Sequence, residues 1–345
     1  MKTTKIIGPL AVLALLLVFP LLVSDATFTD IAVFTLIFTG AAVAWNIFSG
    51  YTGYISLGHA IFYGIGGYAL AILCKTWNIQ GGYTPFLLLP LVGLIASVFA
   101  VPLGWIALRT RRHIFVVFTI ALFFIFQLLA YNLTGITSGS QGMFLPSPPW
   151  DASFFNIPFY YVSLFILLLS FGVSWWIRHS KYGLCLLAIR DDEDRALSLG
   201  VKTGTYKLTA YVISAFFIGI TGALVMYFIG SAYPASAFDP SFDVTIALMA
   251  ILGGIGTLVG PLVGGLLLEP VQQYLTAQLG IVGLDLILFG VILLAVILLL
   301  PEGIIPTLRK RWTKRTAIHS TVSLAITSKE KEDTVPSMSQ RGGKR

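Results

Sequence analysis

Cysteine and charge are both scarce in this 345-residue chain. It has two cysteines, and only 11% of its residues are Asp, Glu, Lys or Arg. Cys74 and Cys185 lie far apart, which excludes a disulfide framework and any metal site of ordinary cysteine spacing. A soluble domain carries roughly a quarter charged residues, whereas this chain is 57% hydrophobic with a mean hydropathy of +0.88. The composition therefore places it in the membrane class. Also missing is the phosphate-binding pattern G-x-x-x-x-G-K-[ST], so ATP-driven work would need a separate motor protein. No His/Asp/Glu grouping has the spacing of a metal site or of a nucleophile with its base, which argues against an intramembrane enzyme.

The net charge of +7 does not indicate nucleic acid, because the basic residues gather in a few short segments between apolar runs. A hydrocarbon core of ~30 Å takes about 20 apolar residues as helix. That measure predicts an all-α polytopic protein with ten spans: 6–23, 28–48, 54–74, 85–108, 113–133, 158–178, 207–230, 242–258, 261–279 and 281–301. With both termini cytoplasmic, Arg109, Arg111, Arg112, the segment Arg178–Lys207 and the tail from Arg309 share one side. Of 22 Lys and Arg, only Lys75 falls on the other, where Asp25, Asp30, Asp151 and Asp239 lie. This satisfies the positive-inside rule. The start, "MKTTK" followed by Ile6–Val23, also has a signal-peptide flavour. Its apolar stretch exceeds the usual 7–15 residues, so a retained first helix is the expectation. The permease domain is read as 1–305, with a basic tail over 306–345 that lacks the apolar residues to pack a core. The tail's "RKRWTKR" is suited to anionic lipid headgroups, and a stop-transfer anchor is the plainer reading of it.

Within the apolar runs, "GYTGYISLGHAIFYGIGGYAL" (50–70) holds glycine at 50, 53, 58, 64, 66 and 67. Such glycines admit a neighbouring helix or a solute close to the backbone. Tyr51, Thr52, Ser56 and His59 add polar groups, which within a membrane face a bundle interior or a wet cavity. His59 either bonds a neighbouring helix or lines a path. A second glycine patch, "LMAILGGIGTLVGPLVGGLLLEP" (248–270), answers the first. Gly/Pro-interrupted apolar segments paired across two halves point to a transporter's central site. The candidates for a substrate pathway are Tyr51, Thr52, Gly53, Ser56, Gly58, His59, Gly253, Gly254 and Gly256, and tight helix packing is the plainer account of each glycine. Glu269 and Asp285 are isolated acids, thin support for the proton relay that a secondary transporter would need.

Between spans six and seven, the loop 179–206 carries apolar positions on both sides of "RDDEDR", with Gly200 as a helix stop. Short helices of this kind suit docking to a soluble partner. Here the chain resembles a known family. "YGLCLLAIRDDEDRALSLGVKTGTYKLTAYVISAFFIGITGAL" (182–224) is similar to the permease subunits of branched-chain amino acid ABC importers, of the M type. "GYTGYISLGHAIFYGIGGY", "LTGITSGSQGM" (133–143) and "ILGGIGTLVGPLVGG" (251–265) resemble other segments of the same family, in order along the chain. Urea and short-chain amide permeases are similar too.

The resemblance implies a multi-pass permease of the prokaryotic inner membrane that binds no cofactor itself. Its partners would be a related H-type permease, two cytoplasmic ATPases that use ATP, and a soluble substrate-binding protein. It implies that Gly183, Ala188, Ile189, Arg190, Asp191, Asp192, Glu193, Arg195, Leu199 and Gly200 belong to the segment that docks in the ATPase groove. The glycine-rich spans would line the pathway. One departure is the Leu-Cys-Leu-Leu run at 184–187, where the family loop is often more basic.

Overall fold

A computed structural model describes residues 14–20, 22, 23, 25–152, 154–279, 290, 291, 294 and 303–308. Apart from one two-residue strand pair, Met143–Phe144 against Ser231–Ala232, the regular structure over this range is helical. The long helices are α1 (Ala26–Trp45), α2 (Ala60–Thr76), α3 (Leu89–Ala107), α4 (Arg112–Asn132) and α5 (Asn156–His179). Two short helices follow, α6 (Lys181–Asp191) and α7 (Glu193–Ser198). Then come α8 (Thr203–Ile229), α9 (Pro240–Gly253) and α10 (Gly260–Leu279). Six helical stretches among the described residues are long and apolar enough to cross a membrane: 26–50, 89–107, 112–132, 156–179, 203–229 and 234–253. The expected span 281–301 lies largely outside the described residues, as does the first half of 6–23.

Hydropathy located most helices to within a few residues, but it misjudged two places. The span read from 54 does not start there: the chain is non-helical over 53–59, and α2 begins at Ala60. The interruption read at Gly260-Pro261 falls earlier, over 254–259, and Gly260 opens α10. The physical cause is the same in both. A glycine with left-handed backbone stands at each break, Gly53 at φ 73° and Gly256 at φ 74°, a conformation costly for any residue with a Cβ.

α8 is the central helix. From Ala210 to Tyr227 almost every residue is buried, because α2, α3 and α1 pack around it. The α2–α8 crossing is close. A Cβ on Gly66 would overlap the Gly219 carbonyl, one on Gly222 would overlap the Tyr63 carbonyl, and one on Gly67 would meet Met226. Close approach of this kind is how helices associate where lipid removes the hydrophobic advantage of burial. α1 and α5 run parallel. Asn156 Nδ2 donates to Thr29 Oγ1 at 3.0 Å at one end, and Tyr51 and Ser174 hydroxyls bond at 2.8 Å at the other. The second of these ends also holds Arg112, Arg178, Arg190 and Lys207.

Candidate functional site

Breaking a helix inside a membrane frees backbone groups that only protein can satisfy. At the first break several of the freed groups find side chains. Trp45 Nε1 donates to the Ser56 carbonyl at 2.9 Å. Ser49 Oγ accepts from Ser56 N at 3.2 Å, and Thr52 Oγ1 accepts from Tyr54 N at 3.2 Å. The start of α2 is capped from another helix: Ala60 N donates to both carboxyl oxygens of Asp243, at 3.1 and 3.2 Å. Asp243 is buried on α9, so the helix that leads into the second break supplies the cap at the first.

The two breaks also meet directly. α1 ends in a widened turn, Asn46–Gly50, and the Asn46 amide faces the turn 254–259. Its Oδ1 accepts from Gly256 N at 2.8 Å, and its Nδ2 donates to the Thr257 carbonyl at 3.0 Å. Asn46→Leu leaves that donor and that acceptor buried without partners, each worth about 1–3 kcal/mol. The expected outcome is a clear fall in thermal midpoint in detergent, with Asn46→Asp, which keeps the acceptor, losing less. Asp243→Ala should likewise cost on the order of 1–3 kcal/mol in a denaturation series, and Asp243→Asn should retain most of the stability.

The loop α6–α7 sits against this junction. Ser180 Oγ caps α6 by accepting from Gly183 N, and Asp192 caps α7 by accepting from Arg195 N at 3.0 Å. Gly183 and Ile189 face the bundle, whereas Asp191, Arg195, Leu199 and Gly200 are exposed and Ala188 is half-buried. Asp192 also pairs with Arg195, at 2.9 Å from Nε to Oδ2. Leu184, in the run where the loop departs from the resembling family, is 65% exposed while Leu186 is fully buried.

Two polar tethers hold the loop. Arg112 Nη2 donates to the carbonyls of Ile189 and Arg190, each at 2.7 Å, and Arg190 Nη1 donates to the Gly50 carbonyl at 3.0 Å. Beside them, Lys207 Nζ bonds Glu193 Oε1 at 2.5 Å, and the Tyr54 hydroxyl donates to Glu193 Oε2. Burial alone would raise the Glu193 carboxyl, but these bonds outweigh it and hold it below its ordinary value. Burial pulls the Arg190 guanidinium down from its ordinary value.

The structure thus brings Tyr51, Thr52, Gly53, Gly254 and Gly256 into one junction with Arg190 and Glu193. Ser56, Gly58 and His59 lie deeper along the same break. His59 is fully buried among Phe48, Phe62 and Tyr211, and its Nε2 lies 2.9 Å from Ser214 Oγ. Gly58 backs onto α4, where a Cβ would come 2.8 Å from the Thr119 carbonyl. Gly253 packs on Gly260. Glu269 is buried on α10 and accepts from Gln273 Nε2 at 2.8 Å; Asp285 lies outside the described residues. A separate apolar cavity of about 520 Å³ is walled by residues of α2, α3 and α4, including Ile72, Phe99 and Phe126, and contains none of the nine pathway candidates. Asn46, Tyr54, Arg112, Lys207 and Asp243 were not singled out from sequence. The signal for Asn46 and Asp243 was present, a polar or acidic residue inside an apolar span.

The model of the family described as "Branched-chain amino acid transport system / permease component" matches residues 27–297. The chain belongs to this permease family. The permease is 29% identical over 325 residues to the high-affinity branched-chain amino acid transport system permease protein LivM of Escherichia coli (strain K12), covering 87% of this chain and 74% of that relative. It is 27% identical over 282 residues to the corresponding LivH protein of Salmonella typhimurium, covering 76% and 89%. A shorter match, 29% over 138 residues, links it to BraD of Pseudomonas aeruginosa. No solved structure matches the permease. The match extends through both helix breaks and the loop between α5 and α8.

Proposed function

We propose that this chain is one permease subunit of an ATP-driven importer that carries branched-chain or other apolar amino acids across a prokaryotic inner membrane. The observation that carries the reading is the family match over 27–297, which includes the docked loop α6–α7. Its similarity to both LivM and LivH supports a paired arrangement with a related permease. One of two cytoplasmic ATPases would bind the exposed face of α6–α7, which presents Leu184, Asp191, Asp194 and Leu199. A soluble binding protein would deliver substrate to the opposite end, where the segment 134–157 is joined to the end of α8 by the strand pair. Approach of the ATPases would move α6–α7, and alternating access would follow from its tethers to the glycine-rich breaks. No covalent step belongs to this chain.

A urea or short-chain amide permease is the second reading, because the sequence segments cited above resemble those permeases also. Competition separates the two. Uptake of labelled leucine into cells carrying the complete transporter is expected to be displaced by unlabelled isoleucine and valine and left unchanged by urea. Displacement by urea or acetamide alone would replace the substrate while keeping the machine. Charge reversal at Asp191 and Asp194, both exposed, is expected to lower uptake without lowering the amount of permease in the membrane; unchanged uptake would remove the docking role from this face.

A further inference from the structure

The glycines of the two breaks share a neighbour that composition gave no reason to expect. Arg190 projects from the last turn of α6 into the junction. A Cβ on Gly53 would come 3.1 Å from Arg190 Cγ, and one on Gly256 would come 2.7 Å from Arg190 Cζ. The same guanidinium bonds the Gly50 carbonyl. Two glycines from two separate segments therefore make room for one arginine of the loop, and Arg112 fixes the backbone of that arginine from α4.

We infer that Arg190 is the positioning residue that carries movement of α6–α7 into both glycine-rich breaks together, with Gly53 and Gly256 kept small to seat its side chain. This deepens the permease reading and rests on it. The argument is mechanical. α6 touches Gly53 through Arg190 Cγ, and it touches the Gly50 carbonyl and the 254–259 turn through the planar guanidinium. Asn46 ties the 46–50 turn, which leads into the first break, to the 254–259 turn. A displacement of α6 that keeps these contacts shifts both breaks together. The Glu193–Lys207–Tyr54 cluster adds a second attachment one residue from Gly53, but it reaches the first break alone. Arg190 is distinct in meeting both. A guanidinium suits this role better than an ammonium, because its donors are held in a rigid plane.

The test uses the full transporter, purified with its co-assembled subunits in lipid nanodiscs, with ATP and vanadate as the probe. Amide hydrogen exchange is read in three segments: 183–200, 50–59 and 254–259. In the native protein, nucleotide trapping is expected to change exchange in all three. In Arg190→Ala the change in 183–200 should persist, while the changes in 50–59 and 254–259 fall about fivefold or more. Substrate moved per ATP hydrolysed should fall with them, and Arg190→Lys should recover part of both. A merely structural role would lower yield and all activities in parallel without separating the segments, and that would overturn the inference. So would full responses in 50–59 and 254–259 in the alanine variant. If Arg190→Ala fails to assemble, Arg190→Gln is read in the same way. A native transporter whose 183–200 segment ignores nucleotide would overturn the permease reading and this inference with it.

Discussion

Lys207→Met is expected to abolish most uptake while leaving the transmembrane bundle folded. Lys207 is nearly buried, at 4% side-chain exposure, and its partner Glu193 is at 25%. Removing one member of a buried pair costs about 3–5 kcal/mol because the remaining charge is stranded; the partial exposure of Glu193 brings the expected loss below that range. That energy is lost where α7 is fastened to α8 and Tyr54, so the loop should loosen before the bundle does. Limited proteolysis between 190 and 202 reads this directly. Glu193→Gln with Lys207→Met should be less damaging than Lys207→Met alone, since no unpaired charge remains. Equal damage would show that the pair's charge is not what fastens the loop.

The same cluster sets a pH dependence with a definite sign. Burial raises the Glu193 carboxyl, and the bonds from Lys207 and Tyr54 more than offset it, so the folded value lies below the ordinary one. A carboxylate depressed in the folded state stabilises it above its unfolded value of about 4.3, and that stability is lost as pH falls through the folded value. Docking of α7 should therefore hold through neutral and mildly acidic pH and weaken only in stronger acid. Glu193→Gln should remove that acid transition.

Gly66→Leu carries the largest expected effect on the fold itself. Gly66 lies against the Gly219 carbonyl with no space for a Cβ, and backbone cannot retreat as a flexible side chain can. α2 would have to separate from α8, opening a crossing where main chain meets main chain. Forcing even one or two extra carbons into a packed site costs about 1–3 kcal/mol, and a leucine here exceeds that because the opposing atoms are main chain. The expected outcome is loss of monodisperse protein in detergent. Gly172→Leu on α5, where nothing lies within 4 Å, should behave like the native chain.

These residues also show how far the sequence was readable. Helices α3, α4, α5 and α8 were legible because long apolar runs bounded by arginine, lysine, proline, asparagine or glycine have one reading at membrane length. The loop α6–α7 was legible from its mixed charge and apolar pattern. The breaks at 53–59 and 254–259 were not placed, because hydropathy averages Gly, Ser and His into their apolar neighbours and is blind to backbone φ. The meeting of the two glycine patches was suggested by their pairing. What joins them was not, because a single Asn46 or Asp243 in an apolar span carries no sign of its partner, some two hundred positions away in sequence. Arg190 was read as part of the segment that docks a partner protein. Within that segment its side chain turns inward to the Gly50 carbonyl, while Asp191 next to it stays exposed.

A permease of an ATP-driven importer moves substrate only when its ATPases turn over. The most direct measurement is uptake of radiolabelled leucine into proteoliposomes holding the complete transporter and its binding protein, with and without ATP on the ATPase side. Uptake that requires ATP and persists when proton and sodium gradients are collapsed is the predicted result. Uptake that ignores ATP but follows an imposed proton gradient would contradict the account, and would turn attention to the buried Glu269 and His59.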